Sequence, residues 1–268
     1  MGEVFNQAED PPNSTCDWAV DALDTVLNFP AWWSVVGTLA NVSNPMSGLG
    51  HVVDRIASGC HDSTLLGTFS ENHDVPRFGS ATKDLSQQKN ALTFDLMTDG
   101  VPVVYYGAEQ RLDGKNDPGN REALWLAPNG YDTNAPLYQH VRALNIVRTS
   151  VGKGMAALDY FGWSEFWAYK AKVLFSTEDI LIFSKGYDTS IVTALTNGGE
   201  GSPDVGPYPT GETFLEEGDT ILEVLSCNSI KVGLNGEFNI TLKNGEPQVW
   251  KFASHSLSHM TSVFHFSC

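Results

Sequence analysis

Apolar residues fall along the chain in two patterns, and the change comes near residue 155. Before it, short apolar runs at Val26 to Phe29, Leu65 to Phe69 and Val101 to Tyr106 read as buried strands, being brief, continuous and bounded by polar or turn-forming residues. Between them Leu49, Val52, Val53 and Ile56 recur at helical spacing, as do Leu85, Leu92 and Leu96, and then Leu137, Val141, Leu144 and Val147. Each set predicts a helix with one apolar stripe, and the alternation predicts parallel β-α units. Asp99-Gly100 ends the second helix, with glycine where a left-handed cap is needed. Asp95 falls near the apolar side of that helix without an explanation in the sequence.

Beyond residue 160 the pattern becomes short strands between Gly, Asn and Pro. Phe166 to Lys170, Ile180 to Ser184, Ile191 to Thr196, Ile221 to Leu225, Phe238 to Leu242 and Val249 to Phe252 are the candidates, with turns at Asn197-Gly198, Asn235-Gly236 and Asn244-Gly245. Gly198 to Gly211 reads as a long loop. The alternation of Phe238, Ile240 and Leu242 with polar residues predicts an antiparallel sheet with one wet face. Two domains are expected: residues 1–155, a partial α/β domain, and residues 156–268, an all-β sandwich with a self-contained core.

Composition narrows the partners. Acidic residues outnumber basic ones 32 to 16, for a net charge of −16, so nucleic acid and anionic membrane surfaces are repelled. No apolar run approaches the roughly 18 residues of a membrane-spanning helix, and the first residues lack the basic and apolar stretches of a signal peptide. Cys16, Cys60, Cys227 and Cys268 allow three pairings, and their wide spacing is unlike a zinc or redox site. Sequons at Asn13, Asn41 and Asn239 agree with secretion but add little.

Two acidic clusters stand where a parallel barrel projects its chemistry, at strand ends. Gly2-Glu3-Val4 is one, and Glu71-Asn72-His73-Asp74, directly after the Leu65 to Phe69 strand, is the other. A glycosidase needs carboxyl groups in different protonation states around the scissile bond, and Glu3 and Asp74 are candidates. A metal cluster of Glu71, His73 and Asp74 is the competing reading, but strand alternation turns His73 and Asp74 to opposite sides unless the chain bends. His61, Asp62 and Ser63, being adjacent, cannot converge as a Ser-His-Asp triad.

The run from Leu66 to Phe78, LGTFSENHDVPRF, closely resembles the strand-seven motif of the fungal alpha-amylases of glycoside hydrolase family thirteen. Gly100 to Gln110, GVPVVYYGAEQ, resembles the eighth strand, and Asn116 to Glu122, NDPGNRE, the loop after it; in that register Gly2-Glu3-Val4 aligns with the strand-five motif. The resemblance spans essentially the whole chain. It implies the C-terminal half of a TIM (β/α)8 barrel, strands five to eight, followed by an antiparallel β-sandwich. It further implies Glu3 as proton donor, Asp74 as transition-state stabiliser, and His73, Asp117 and Arg121 as hydrogen-bonding partners of the sugar. Disulfides Cys16–Cys60 and Cys227–Cys268 follow from it, as do secretion, a monomer, an alpha-glucan substrate and calcium. The nucleophilic Asp of strand four and the calcium ligands belong to earlier segments that find no match in these residues. An isolated half-barrel is expected to expose two sheet edges and to be inactive. The alternatives are an alpha-glucosidase or transglycosylase of the same clan, or a non-catalytic glucan-binding remnant. Gln7 and Ala108 depart from the family pattern, and Trp32-Trp33 is assigned to helix core over sugar stacking.

Overall fold

The computed structural model describes residues 1–5, 15–18, 22–127, 130–156, 166–186, 191–210 and 215–253. Four parallel segments lie side by side at its start. Gly2 bridges Val26, Leu27 bridges Gly67, and β1 (Gly67–Thr68) pairs with β2 (Val101–Pro102). The ordered strands are shorter than their apolar runs. Leu65 lies in a 3-10 turn capped by Asp62, and Phe29 already starts α1 (Phe29–Leu39), which Asn28 caps through Ala31 N (3.2 Å) with Pro30 at its start. Pro102 has no N–H to donate, and the ladder resumes from Val103 N to Thr68 O (2.8 Å).

Helices α2 (Met46–Gly59), α3 (Phe78–Ala81), α4 (Leu85–Met97) and α5 (Pro136–Ala156) fill the intervals. α4 buries more than the single apolar stripe expected from Leu85, Leu92 and Leu96: from Ser86 to Met97 every residue except Lys89 is buried, polar ones included. Gly100 closes the helix at φ +106°, and a Cβ there would stand 2.3 Å from Leu66 O, so only glycine fits between α4 and β2.

The second part holds a six-stranded antiparallel sheet in the order β3 (Lys172–Ser176), β4 (Leu181–Lys185), β5 (Ile191–Leu195), β10 (Gln248–Ala253), β7 (Thr220–Glu223), β8 (Ser229–Lys231), covered by an antiparallel pair of non-consecutive strands, β6 (Val205–Pro209) and β9 (Asn239–Leu242). Three expectations are corrected here. Phe166 to Lys170 is not a strand: Phe166–Ala168 is a 3-10 turn, with Phe166 buried beneath the Arg148 and Lys185 cations, each 5.5 Å from its ring. Part of the Gly198 to Gly211 loop is strand β6.

The sandwich core is not self-contained either. Leu181, Phe183, Ile191, Leu195 and Val249 pack into one cluster with Val35, Leu39, Leu49 and Val53 of the helices, whereas Ile180, Ile182, Val192, Ala194 and Trp250 face Phe238, Ile240 and Leu242. Both faces of the central strands are apolar, and the α/β part covers one of them. Polar contacts reinforce that seam: Asn90 Nδ2 donates to Gly245 O (2.8 Å), Asn90 Oδ1 accepts from Thr196 N (2.9 Å), and Gln87 Nε2 donates to Asn197 O (2.9 Å). The expected division near residue 155 falls at the end of α5.

Cys16 and Cys60 form the expected disulfide, with Cα atoms 5.0 Å apart. Cys227 is also oxidised, and its expected partner Cys268 lies outside the described residues. Trp32 is buried and Trp33 is 38 % exposed, so the core assignment holds for the first of the pair. Among the described residues no helix is long and apolar enough to cross a membrane.

Candidate active site

Gly2 N donates to Thr25 O (2.7 Å) and Gly2 O accepts from Leu27 N (3.0 Å), which fixes the edge strand and places Glu3 at its upper end. Two segments away, the chain leaves β1 through Phe69 to Ser70, whose N–H donates to Asp95 Oδ2 (2.9 Å). This accounts for the acid on the apolar side of α4: Asp95 caps a strand end from beneath.

The chain then bends over residues 73–75. Asn72 Oδ1 accepts from Asp74 N (2.8 Å) and Val75 N (3.0 Å), the Asx-type turn that asparagine favours. The bend cancels strand alternation, so His73 and Asp74 emerge on one side. Ligand atoms of Glu3, His73 and Asp74 all lie within 4.8 Å of one another. Asp74 Oδ2 lies 3.2 Å from His73 Nε2, Asp74 Oδ1 accepts from Arg121 Nη2 (3.1 Å), and Arg121 Nε lies 2.7 Å from Asp117 Oδ1. All five candidates from the sequence therefore meet at one rim. Their ion pairs are exposed, with Arg121 and Asp74 side chains at 44 % and 42 %, so they orient the groups and add little stability.

Glu3 is held above the ordinary glutamate range, first by desolvation, then by its hydrogen bond to Asp74 and that residue's negative charge, against an opposing pull from His73. A carboxyl shifted toward its protonated form beside a second carboxyl is the arrangement an acid catalyst of glycoside cleavage needs.

Residues 1–150 match the family model described as the alpha amylase catalytic domain, and residues 173–261 match that of alpha-amylase domain C. The chain belongs to the alpha-amylase family. It is 34% identical over 252 residues to alpha-amylase 1 of Schwanniomyces occidentalis, covering 93% of this chain and 46% of that protein. To the alpha-amylase of Saccharomycopsis fibuligera it is 33% identical over 258 residues, 95% of this chain and 48% of the relative. The solved alpha-amylase structure from Malbranchea cinnamomea superposes with a TM-score of 0.85 at 36% identity, over 96% of this chain and 51% of that one. The chain spans about half the length of these relatives. The expected architecture, part of a TIM barrel followed by a strand-rich C-terminal domain, is thus observed.

Behind the amylase rim lies a largely buried layer of Glu71, Arg77 and Glu122, of which only Glu71 had a sequence reading, as a competing metal ligand. Glu71 turns inward, away from His73 and Asp74, so the Glu71-His73-Asp74 cluster does not form. Its carboxylate accepts from Phe78 N (2.7 Å) and Arg77 Nη1 (3.1 Å), while Arg77 Nε donates to Glu122 Oε2 (2.6 Å). Arg77 is fully buried beside Tyr105 and Tyr106, 4.4 and 5.0 Å from their ring centres. Glu122 Oε1 in turn accepts from Asp113 N (3.1 Å) and Gly114 N (2.6 Å), tying the 113–122 loop to the 71–77 loop. Burial pushes Glu71 up to about 7. All three residues lie within the quoted motifs, but only their three-dimensional pairing shows what they do.

Glu3, His73 and Asp74 do not suit a calcium ion. Calcium takes six to eight oxygen ligands, whereas here one of three donors is imidazole and both Asp74 oxygens are engaged by His73 and Arg121.

Proposed function

We propose that this chain supplies the acid side of an alpha-amylase site that hydrolyses alpha-1,4-glucosidic bonds of starch and related glucans with retention. The observation that carries this reading is the contact between Glu3 and Asp74, two carboxyl groups from different strands at one barrel rim, with Glu3 raised toward its protonated form. Glu3 protonates the leaving glycosidic oxygen and afterwards takes a proton from the attacking water. Asp74 faces the positive charge that develops on the sugar ring, and Arg121 and His73 hold its two oxygens in place. Arg121, Asp117 and His73 remain about half exposed and present donors and acceptors to sugar hydroxyls.

Retention also requires a nucleophilic carboxylate about 5 to 5.5 Å from the acid, and Asp74 serves another role. That group, and the calcium ligands the family resemblance implies, belong to barrel segments preceding Glu3 in the family's register. The proposed organisation is a barrel portion at 1–155 and a sandwich at 156–268, in a secreted, monomeric protein that binds neither nucleic acid nor membrane.

Two measurements test this. The purified 268-residue chain is expected to leave a blocked maltooligosaccharide essentially uncleaved, and family-like turnover would overturn the assignment of the nucleophile to another segment. In a protein joining this chain to the first four barrel strands, Glu3→Gln is expected to reduce kcat by about 10²- to 10⁴-fold, the usual contribution of an acid-base group, with KM little changed. Unimpaired turnover would remove Glu3 from the mechanism.

A further inference from the structure

We infer that Asn120 is a positioning residue of this site: its buried side-chain amide clamps the 72–75 bend and thereby sets Asp74 against Glu3. The inference rests on reading Glu3 and Asp74 as one site. Asn120 is completely buried, although it sits between the exposed Gly119 and the exposed Arg121. Its Nδ2 lies 2.7 Å from Val75 O, 2.9 Å from His73 O and 3.3 Å from Asn72 O. Two N–H groups thus serve the two nearer carbonyls, and the third shares one of them. The orientation of the amide follows from chemistry, since the flipped form would press its oxygen against three carbonyl oxygens.

The need for such a clamp arises in the bend itself. Turning the chain at residues 73–75 brings His73 and Asp74 to one side but points carbonyls inward, where an acceptor left without a donor is unfavourable. Asn72 satisfies the N–H groups of this turn from within; Asn120 satisfies its carbonyls from the facing loop. That loop is itself fixed. Asn120 N donates to Asn116 O (3.2 Å), Arg77 N donates to Gly114 O (3.1 Å), and at Gly114 a Cβ would fall 1.9 Å from Gly119 O. The next residue, Arg121, binds both His73 O (3.2 Å) and the Asp74 carboxylate. Adjacent side chains therefore hold the bend from both sides, Asn120 from within the protein and Arg121 from the rim.

The test compares wild type with Asn120→Ala, Asn120→Asp and Asn120→Ser in the full 268-residue chain, using NMR contacts and side-chain carboxyl titration of Glu3. Wild type is expected to show Glu3 in contact with His73 and Asp74 and a raised Glu3 midpoint; their absence there would refute the site itself, separately from the role of Asn120. The alanine variant, which cannot donate, is expected to lose those contacts and to return the Glu3 midpoint toward the ordinary glutamate value, and the aspartate variant to do the same at pH values where its carboxyl is ionised. Serine, which keeps one donor, should fall between. A merely structural residue would lower Tm in all three variants and leave the Glu3 contacts and midpoint unchanged, and that result would overturn the inference. If none of the variants folds, Asn120 is a folding residue and the inference falls as well.

Discussion

Asp99→Asn is expected to destabilise the chain by about 3–5 kcal/mol, the usual result of leaving one partner of a buried ion pair without its counter-charge. Asp99 sits where α4 passes into β2, and its carboxylate serves three partners: Oδ1 accepts from Lys185 Nζ (2.5 Å) and Ala171 N (2.7 Å), and Oδ2 from Ser63 Oγ (2.6 Å). An amide can keep the neutral contacts but cannot balance the ammonium. The Lys185 side chain is 1 % exposed, burial pulls its pKa down, Asp99 pulls it back up, and Arg148 adds to the fall. In the variant the lysine remains buried with a cation nearby. Its folded pKa then drops further below the unfolded value, so between the two the unfolded chain binds more protons and stability rises with pH. The deficit should narrow as pH rises toward the lysine range. Urea unfolding of wild type, Asp99→Asn, Lys185→Met and the double variant gives the coupling directly. A single-variant loss under about 1 kcal/mol, or additive losses, would show that the pair does not join the two parts of the chain as described.

That junction also shows where sequence reading succeeds and where it stops. The parallel segments and the run from Glu71 to Asp74 were visible because an apolar strand followed by five polar residues, Ser70 to Asp74, is a local pattern. Glu3 stood out in sequence only as an acid among apolar residues, and its role as proton donor came through the family register, since three residues carry little pattern of their own. The convergence of His73 and Asp74 depended on a bend that Asn72 makes locally, and Asn72 lay within the quoted motif; strand periodicity alone sent the two residues apart.

Asn120 was out of reach for a different reason. Its partners are 45 to 48 residues away and are backbone carbonyls, which have no sequence identity to read. The aromatic run from Phe166 mimicked a strand, but only Phe166 is buried, in a turn beneath Arg148 and Lys185, while Trp167 is 40 % exposed. The shared core was hidden for a related reason: Ile180, Leu181, Ile182 and Phe183 form a continuous apolar run, which shows that both faces are covered but not by what.

Asp95→Asn is expected to convert a stability that falls steeply with pH into one that falls less, and to leave the variant the more stable protein at pH 8. Asp95 is 1 % exposed, its Oδ2 accepts from Ser70 N, and its other oxygen has no hydrogen-bond partner. Burial raises its pKa to about 8, against the Ser70 hydrogen bonds and with a further push from Glu71. The unfolded value is about 3.9. Between these limits the folded chain keeps a proton that the unfolded chain has released, so each pH unit gained removes about 1.4 kcal/mol of stability. Below the unfolded value the penalty is absent, and above about 8 it is complete. Asparagine is neutral at every pH and retains an oxygen for Ser70 N. The stability difference between variant and wild type should therefore grow by about 1.4 kcal/mol per unit from pH 5 to pH 7, about 3 kcal/mol in all. Glu71, raised by its own burial, contributes to the slope of both proteins and largely cancels in that difference. Urea titrations at four or five pH values measure it. Parallel curves would mean that Asp95 stays ionised in the fold and that the strand end before Glu71 is held by a charge rather than by a neutral acid.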